Sequence, residues 1–353
     1  MIDTQQNNDT VWLAEAAGIL RSGGLVAFPT ETVYGLGGNA LDPEAAKKIY
    51  AAKGRPSDNP LILHIADMEA LADIAKEIPP MAEKLADAFW PGPMTMVFEK
   101  RPEVPDATTG GLPTAAVRMP AHPTALALIR AAGLPIAAPS ANLSGRPSPT
   151  TAAHVWEDLH DRIPMILDGG PCGIGLESTV VDVTGEVPVI LRPGYVTREM
   201  IAEVCGACAV DPAVEHPTEG MRPKAPGMKY RHYAPKAPLT LVEGEAKAAA
   251  EKIASLAAEA AGKGLRVGIL GTEETAALYR ELLPEAVKDR IRVQVIGSRK
   301  DPSSVARNLF AVLRAFDETG EEELFGETFP TDHLGFAVMN RLEKAAGHKK
   351  IQA

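Results

Sequence analysis

LVAFPTETVYGLG, residues 25–37, runs an apolar segment straight into a turn rich in hydroxyls and glycine. Leu25–Pro29 is a short continuous apolar run with Gly24 before it, the pattern of a buried strand. Thr30, Glu31 and Thr32 then crowd its carboxyl end, and in open α/β sheets ligands sit at that end. The plainer alternative is a capping turn without a ligand, which Thr and Gly also serve. Gly35, Gly37 and Gly38 read as a Gly-rich turn.

Outward from this segment the alternation repeats. Leu61–Ile65, Met94–Phe98, Ala116–Met119, Pro135–Ala138, Met165–Leu167, Thr179–Val183 and Val187–Leu191 read as strands. Val11–Arg21, Pro43–Ala52, Pro80–Phe89, Pro123–Ala132 and Thr151–Leu159 read as helices. Asp42 supplies an N-cap and Pro43 the first helical position of the second of them. This is an α/β pattern, and because several strands lack a following helix the sheet is expected to be mixed and twisted. From Asp211 the prolines 212, 217, 223, 226, 235 and 238 break regular structure. That stretch also carries Lys229, Tyr230, Arg231, His232 and Tyr233, which suits an ordered linker better than a passive spacer. Beyond it Leu239–Val242, Arg266–Leu270 and Ile291–Ile296 read as strands, and Glu245–Ala261, Asp301–Asp317 and Gly335–Ala346 as helices. The expected organisation is an α/β domain over 1–210, a linker over 211–237 and a smaller, Rossmann-like parallel α/β domain over 238–353.

Composition narrows the function. The 353 residues are 45% hydrophobic and 23% charged, which is ordinary globular composition. No run of apolar residues is long enough to span a bilayer and the polar start lacks a signal-peptide core, so the expectation is a cytoplasmic protein with no membrane partner. A net charge of −10 argues against a protein that grips nucleic acid by its phosphates. Cys205 and Cys208 form a lone C-x-x-C without a second ligand pair for zinc and without an aromatic before it, so they read as incidental cysteines at a helix end.

No phosphate-binding glycine loop, nucleophile elbow or zinc-helix motif is present. A nucleotide site in this chain would have to be built from side chains and scattered backbone groups. KGRPSDNPL, residues 53–61, offers Lys53 and Arg55 on a proline-stiffened loop, with Asn59 able to add an amide; the alternative is a solvated basic loop. His64 is the one polar residue of the run LILHI, where a satisfied core histidine is the commoner case. Arg118, in the apolar strand after Thr114, needs a partner, either an internal carboxylate or a ligand's. PSANLSGRPSPT, residues 139–150, puts Ser140, Asn142, Ser144 and Ser148 after a strand, as a ligand loop or as a polar loop with a helix cap. ESTVVDV, residues 177–183, and LRPG, residues 191–194, add Ser178 and Arg192, the latter able to contact a phosphate or to cap a turn.

Taken together and in this order, PTETVYGLG, KGRPSDNPL, PSANLSG, ESTVVDV, LRPG and PGMKYRHYAP resemble the YrdC-like domain and linker of the threonylcarbamoyl-AMP synthase family, two-domain type. LGFAVMNRLEKAA, residues 334–346, resembles the end of that family's C-terminal domain. The resemblance implies an enzyme that joins L-threonine, bicarbonate and ATP into threonylcarbamoyl-adenylate and releases pyrophosphate. The product would pass to a tRNA threonylcarbamoyltransferase complex that modifies adenosine 37 of tRNAs reading ANN codons, with direct tRNA binding weak or absent. Carried onto this chain, Thr32, His64, Arg118, Ala138 and Ser178 would line the threonine pocket, with Arg118 on the amino-acid carboxylate. Arg55, Asn59, Thr114, Ser140, Asn142, Ser148 and Arg192 would hold ATP, with Lys53 on its phosphates and Tyr230 closing over the nucleotide.

Such chemistry needs positioning and charge neutralisation more than a nucleophilic side chain, in keeping with a site rich in Arg, Lys, Ser and Thr. Mg²⁺ is expected with ATP, and no carboxylate cluster marks a ligand set for it. An RNA-binding module is the principal rival, disfavoured by the acidic balance. A carbamoyl-adenylate former using carbamoyl phosphate is a second, disfavoured because the acylphosphatase region and zinc fingers of such proteins are missing from this sequence.

Overall fold

A mixed sheet carries the site. The computed structural model describes residues 1–4, 11–214 and 232–353, which divide into two units. The first unit runs to Val214. It contains β1 (Ile2–Asp3), α1 (Val11–Arg21), β2 (Val26–Phe28), β3 (Gly35–Asn39), α2 (Pro43–Lys53), β4 (Ile62–His64), α3 (Pro80–Phe89), β5 (Met94–Glu99) and α4 (Asp106–Thr109). It continues with β6 (Thr114–Arg118), α5 (Pro123–Ala132), β7 (Ile136–Ala137), α6 (Ala152–Leu159), β8 (Met165–Asp168), β9 (Thr179–Asp182), β10 (Val189–Arg192), α7 (Arg198–Cys205) and β11 (Ala209–Val210). Its strands lie in the order β1-β8-β2-β3-β7-β4-β6-β5-β9-β10-β11. Parallel pairs such as β4–β6 and β5–β9 alternate with antiparallel pairs such as β5–β6 and β9–β10, so the sheet is mixed as expected.

Register decides which residues share a face, because cross-strand partners point the same way and neighbours along a strand point oppositely. Leu63, Val117, Met96 and Val181 face one side, where they form the main core with Ile49 of α2, Leu85 of α3, Val155 of α6 and Ile201 of α7. The opposite face is covered toward β8 and β2 by α1 and α5, through Leu20, Leu128 and Ile129 packed on Val26, Phe28 and Ile136. Further across that second face lies a small apolar cluster around Ile62, Val97, Ala116, Val180 and Leu191. The polar site is built there.

YGLGG is a strand and not the turn that its glycines suggested. β3 sits between β2 and β7, and a Cβ on Gly37 would meet Ile136 Cγ2 at 2.8 Å and the Phe28 ring at 2.9 Å. The glycines allow close approach in a crowded central strand instead of a chain reversal. At α2 the sequence signals hold: Asp42 Oδ1 accepts the Glu44 N–H at 2.9 Å, and Gly54 ends the helix in the left-handed region at φ 62°.

The second unit comprises the residues from His232 on together with Gly145–Pro147. Its elements are β12 (Leu239–Glu243), α8 (Ala246–Gly262), β13 (Val267–Gly271), α9 (Ala276–Leu282), β14 (Ile291–Val295), α10 (Pro302–Thr319), β15 (Glu323–Glu327), α11 (His333–Ala345) and β16 (Lys350–Gln352). The sheet is parallel throughout, in the order β14-β13-β15-β12-β16. Two of its strands escaped the sequence reading. ELFGE keeps only two apolar residues between acids, and the edge strand KIQ keeps one. Within this unit Arg314 donates through Nε and Nη2 to the Pro147 carbonyl, and Tyr233 stacks on Phe310 with ring centroids 5.1 Å apart. Residues 215–231 of the expected linker, including Lys229, Tyr230 and Arg231, lie outside the described residues. Cys172, Cys205 and Cys208 are free thiols, and burial pushes Cys208 up to about 11, far from a reactive thiolate.

Gly37→Ala is expected to lower stability by about 1–3 kcal/mol through overpacking against Phe28 and Ile136. Denaturant titration should show this as an earlier midpoint with an unchanged slope.

Candidate active site

One row of cross-strand neighbours organises the polar face. Ile136 pairs with His64, His64 with Arg118, Arg118 with Thr95, Thr95 with Val180, and Val180 with Arg192. The last step depends on a β-bulge: Ile190 faces Val181, yet Arg192 and not Leu191 faces Val180. The inserted residue brings Arg192 into the row and leaves Leu191 in the apolar cluster beneath. Thr114 lies on the same face of β6 as Arg118, two strand periods earlier.

Arg118, 4% exposed, is held on three sides. Its Nε donates to the Gly92 carbonyl at 3.2 Å, Nη1 to Thr32 Oγ1 at 2.9 Å and Nη2 to Glu31 Oε1 at 2.6 Å. Of the two partners left open by the sequence, the internal carboxylate is present, and it comes from the opening motif. The other Glu31 oxygen accepts the Ala121 N–H at 3.1 Å. Burial alone would raise the Glu31 carboxyl, but the Arg118 charge and these hydrogen bonds outweigh it and hold the group below its ordinary range. The backbone of the motif is fastened separately, with the Ile174 N–H on the Glu31 carbonyl and the Gly175 N–H on that of Thr32.

Ser178 forms the next station. Thr95 Oγ1 lies 2.8 Å from its hydroxyl, and Arg192 donates to it at 3.2 Å and to its carbonyl from both Nε and Nη2. Ser148 donates to the carboxylate of the neighbouring Glu177. Gly194 of LRPG passes so close that a Cβ there would meet the Thr179 nitrogen at 2.4 Å and the Glu177 carbonyl oxygen at 2.8 Å. Backbone cannot retreat as a side chain can, so the glycine is what lets LRPG lap over ESTVV.

The cationic loop and the serine loop meet at the end of α2. Lys53, 2% exposed, directs its ammonium at the carbonyls of Ser140 and Asn142, while Ser144 N–H returns to the Lys53 carbonyl at 2.8 Å. Arg55 folds back on its own loop, donating to the carbonyls of Asn59 at 3.3 Å and Pro60 at 3.0 Å. Asn59 is buried, and its Oδ1 has no hydrogen-bond partner among the described residues. Ser140 bridges to Gly35, and Ala138 N–H bonds the Ile62 carbonyl at 2.8 Å, tying the serine loop to β3 and β4. Around Arg118 the structure thus brings together Thr32 through a hydrogen bond, His64 through the row and Ser178 through Thr95, while Ala138 follows β7 beside Ile62, Arg192 ends the row, Thr114 shares the face of β6 and Ser148 reaches Glu177. Lys53, Arg55, Asn59, Ser140 and Asn142 gather around one loop junction. Tyr230 lies outside the described residues. Sequence reasoning set Glu31 at the ligand end of its strand without giving it a role, and it left out Thr95 and Glu177.

His64 is buried with Nδ1 3.1 Å from the Ile62 carbonyl, which places the ring proton on that nitrogen. Burial first, and the neighbouring Arg118 charge second, push it down from 6.5 to about 3, so it is a neutral wall of the site at physiological pH. The sign for stability follows. Between pH 6.5 and about 3 the unfolded chain binds a proton that the folded chain refuses, so stability falls as pH falls through that window. Glu31 adds a loss in the same direction below its ordinary value of 4.5. Unfolding free energy measured from pH 7 to 4.5 should lose up to about 1.4 kcal/mol per pH unit from His64, and His64→Gln should flatten that slope.

Comparison with known proteins agrees with this architecture. Residues 18–194 match the family described as Telomere recombination, and residues 196–347 match that described as Threonylcarbamoyl-AMP synthase, C-terminal domain. The chain is 50% identical over 341 residues to a threonylcarbamoyl-AMP synthase of Bacillus subtilis, covering 96% of this chain and 94% of that protein. It is likewise 50% identical over 337 residues to the threonylcarbamoyl-AMP synthase of Pyrococcus abyssi, covering 96% and 94%. A crystal structure of Pyrococcus abyssi Sua5 complexed with L-threonine superposes with a TM-score of 0.91 at 48% identity, over 100% of this chain and 98% of that one. By sequence over nearly its whole length and by fold, the chain belongs to the threonylcarbamoyl-AMP synthase family.

Proposed function

We propose that the chain condenses L-threonine, bicarbonate and ATP into threonylcarbamoyl-adenylate and pyrophosphate. The observation that carries this reading is a buried guanidinium, Arg118, set among Thr32, His64 and the Ser178–Thr95 pair on one sheet face. Arg118 takes the threonine carboxylate. Neutral His64, Thr32, Ser178 and the backbone of Ala138 enclose the rest of the amino acid without adding charge. Bicarbonate loses water to supply CO₂, and the threonine amine, once neutral, adds to it and gives up a proton to form a carbamate. A carbamate oxygen then attacks the α-phosphorus of ATP, and the bond to pyrophosphate breaks.

ATP lies along the second group of residues. Arg55 and Arg192 neutralise phosphate oxygens, and Lys53 adds charge beside the Ser140–Asn142 loop that it braces. Thr114, Ser140, Asn142 and Ser148 supply hydroxyl and amide contacts, and the open acceptor Asn59 Oδ1 suits a donor on the nucleotide. Among the described residues no group of three or more acidic, histidine or cysteine side chains is placed to hold a metal. Mg²⁺ would enter as part of the Mg·ATP substrate and would neutralise phosphate charge beside Arg55 and Arg192. The product passes to a threonylcarbamoyl transferase acting on tRNA in the cytoplasm. No helix of the described residues is long and apolar enough to cross a membrane.

Pyrophosphate release should require L-threonine and bicarbonate together with Mg·ATP. Arg118→Ala should lower kcat/KM for threonine about a hundredfold or more, since truncating a buried charge partner costs several kcal/mol. Release that ignores threonine, or that needs carbamoyl phosphate instead, contradicts the proposal.

A further inference from the structure

We infer that Glu31 is a positioning residue of the amino-acid site: a fixed counter-ion that aims the Arg118 guanidinium and stays bonded to it while the substrate carboxylate docks. The inference rests on the threonine reading above and gives a role to a residue that the resemblance did not include among the threonine or ATP contacts.

The geometry separates a fixed counter-ion from a displaceable one. Three Arg118 N–H groups are bonded, one from each nitrogen, to Gly92, Thr32 and Glu31. One N–H therefore remains on each terminal nitrogen, and a carboxylate can take two such donors at once. The substrate need not evict Glu31 to reach Arg118. Eviction would also be costly. Oε1 holds Nη2 at 2.6 Å, Oε2 holds the Ala121 N–H at 3.1 Å, and the residue's own carbonyl holds the Ile174 N–H at 2.9 Å. Its side chain is 16% exposed against 4% for Arg118, so breaking the pair would strand two poorly hydrated charges.

A second possibility, that Glu31 removes the proton from the threonine ammonium, fits the site less well. Its carboxyl is held below the ordinary carboxylate range, because the Arg118 charge and its hydrogen bonds outweigh the effect of burial. A weakened base does not draw a proton from an amine. What the anion supplies is direction: with Glu31 on one flank and Thr32 on another, the guanidinium plane is fixed before substrate arrives.

The test is calorimetric titration of the full chain with L-threonine, alongside steady-state kinetics. Glu31→Gln keeps the shape and removes the charge. It should weaken threonine binding and raise the threonine KM about tenfold, the loss expected for a charge-assisted hydrogen bond. The ATP KM and kcat should stay within about twofold, a split that general loosening of the fold would not give. Unchanged threonine affinity overturns the inference. Tighter affinity also overturns it, because that is the mark of a carboxylate competing with substrate for Arg118. If Glu31→Gln does not fold, Glu31→Asp keeps the charge but draws it back by a methylene; weaker threonine binding then supports the inference and wild-type affinity overturns it. Wild-type chain that does not bind L-threonine overturns the functional reading itself, whereas wild-type binding lost in Arg118→Ala but kept in Glu31→Gln overturns the role of Glu31 alone.

Discussion

A guanidinium buried in a β-sheet must be matched, and much of the first unit is arranged around that requirement. Arg118 sits on a short strand between two others, where an unpaired charge would cost several kcal/mol. Its matching carboxylate comes from a distant segment, and so that segment must be fixed in place. The turn from Thr30 to Tyr34 is accordingly sewn down on several sides. Thr30 Oγ1 bonds the Val33 carbonyl, Tyr34 N–H bonds the Pro149 carbonyl, and the Tyr34 hydroxyl bonds the Gly170 carbonyl at 2.7 Å. Each link belongs to the fold, yet together they set the orientation of one side chain in the site.

The same economy extends along the sheet. Register delivers His64, Arg118, Thr95 and Arg192 to a single face, and the bulge after Ile190 supplies the last of them. Arg192 is then locked by three hydrogen bonds to Ser178, and Lys53 locks the loop of Ser140 and Asn142. Preorganised charge of this kind suits adenylation, where the protein's task is to hold two anionic partners together and to stabilise charge on the phosphates. A net charge of −10 does not preclude an anionic substrate, because Arg118, Lys53 and Arg192 are buried and held in place by the sheet and its loops.

Much of this was legible in the sequence, and the residues that were not share a cause. Apolar runs and capping residues located β2, β5, β8 and helices α1 to α3 and α5, because those signals are local. Arg118 announced itself as a charge in an apolar strand, but its two candidate partners could not be separated, since Glu31 lies 87 positions away and only register joins them. Thr95 in MTMVFE looks like any strand threonine, and its bond to Ser178 spans 83 positions. The glycines of β3 were misread because glycine signals both turns and close packing, and only the neighbours Phe28 and Ile136 decide between them. In the second unit β15 and β16 were hidden by acidic and polar residues that flank very short apolar cores.

The most direct measurement is a crystal structure of this chain with L-threonine bound. The threonine carboxylate should lie against the two remaining N–H groups of Arg118, with Glu31 still bonded to Nη2 and Ala121, and Ser178 and His64 beside the ligand. Threonine seated away from Arg118, or Glu31 swung out to make room for it, would contradict the view that a fixed ion pair organises the site.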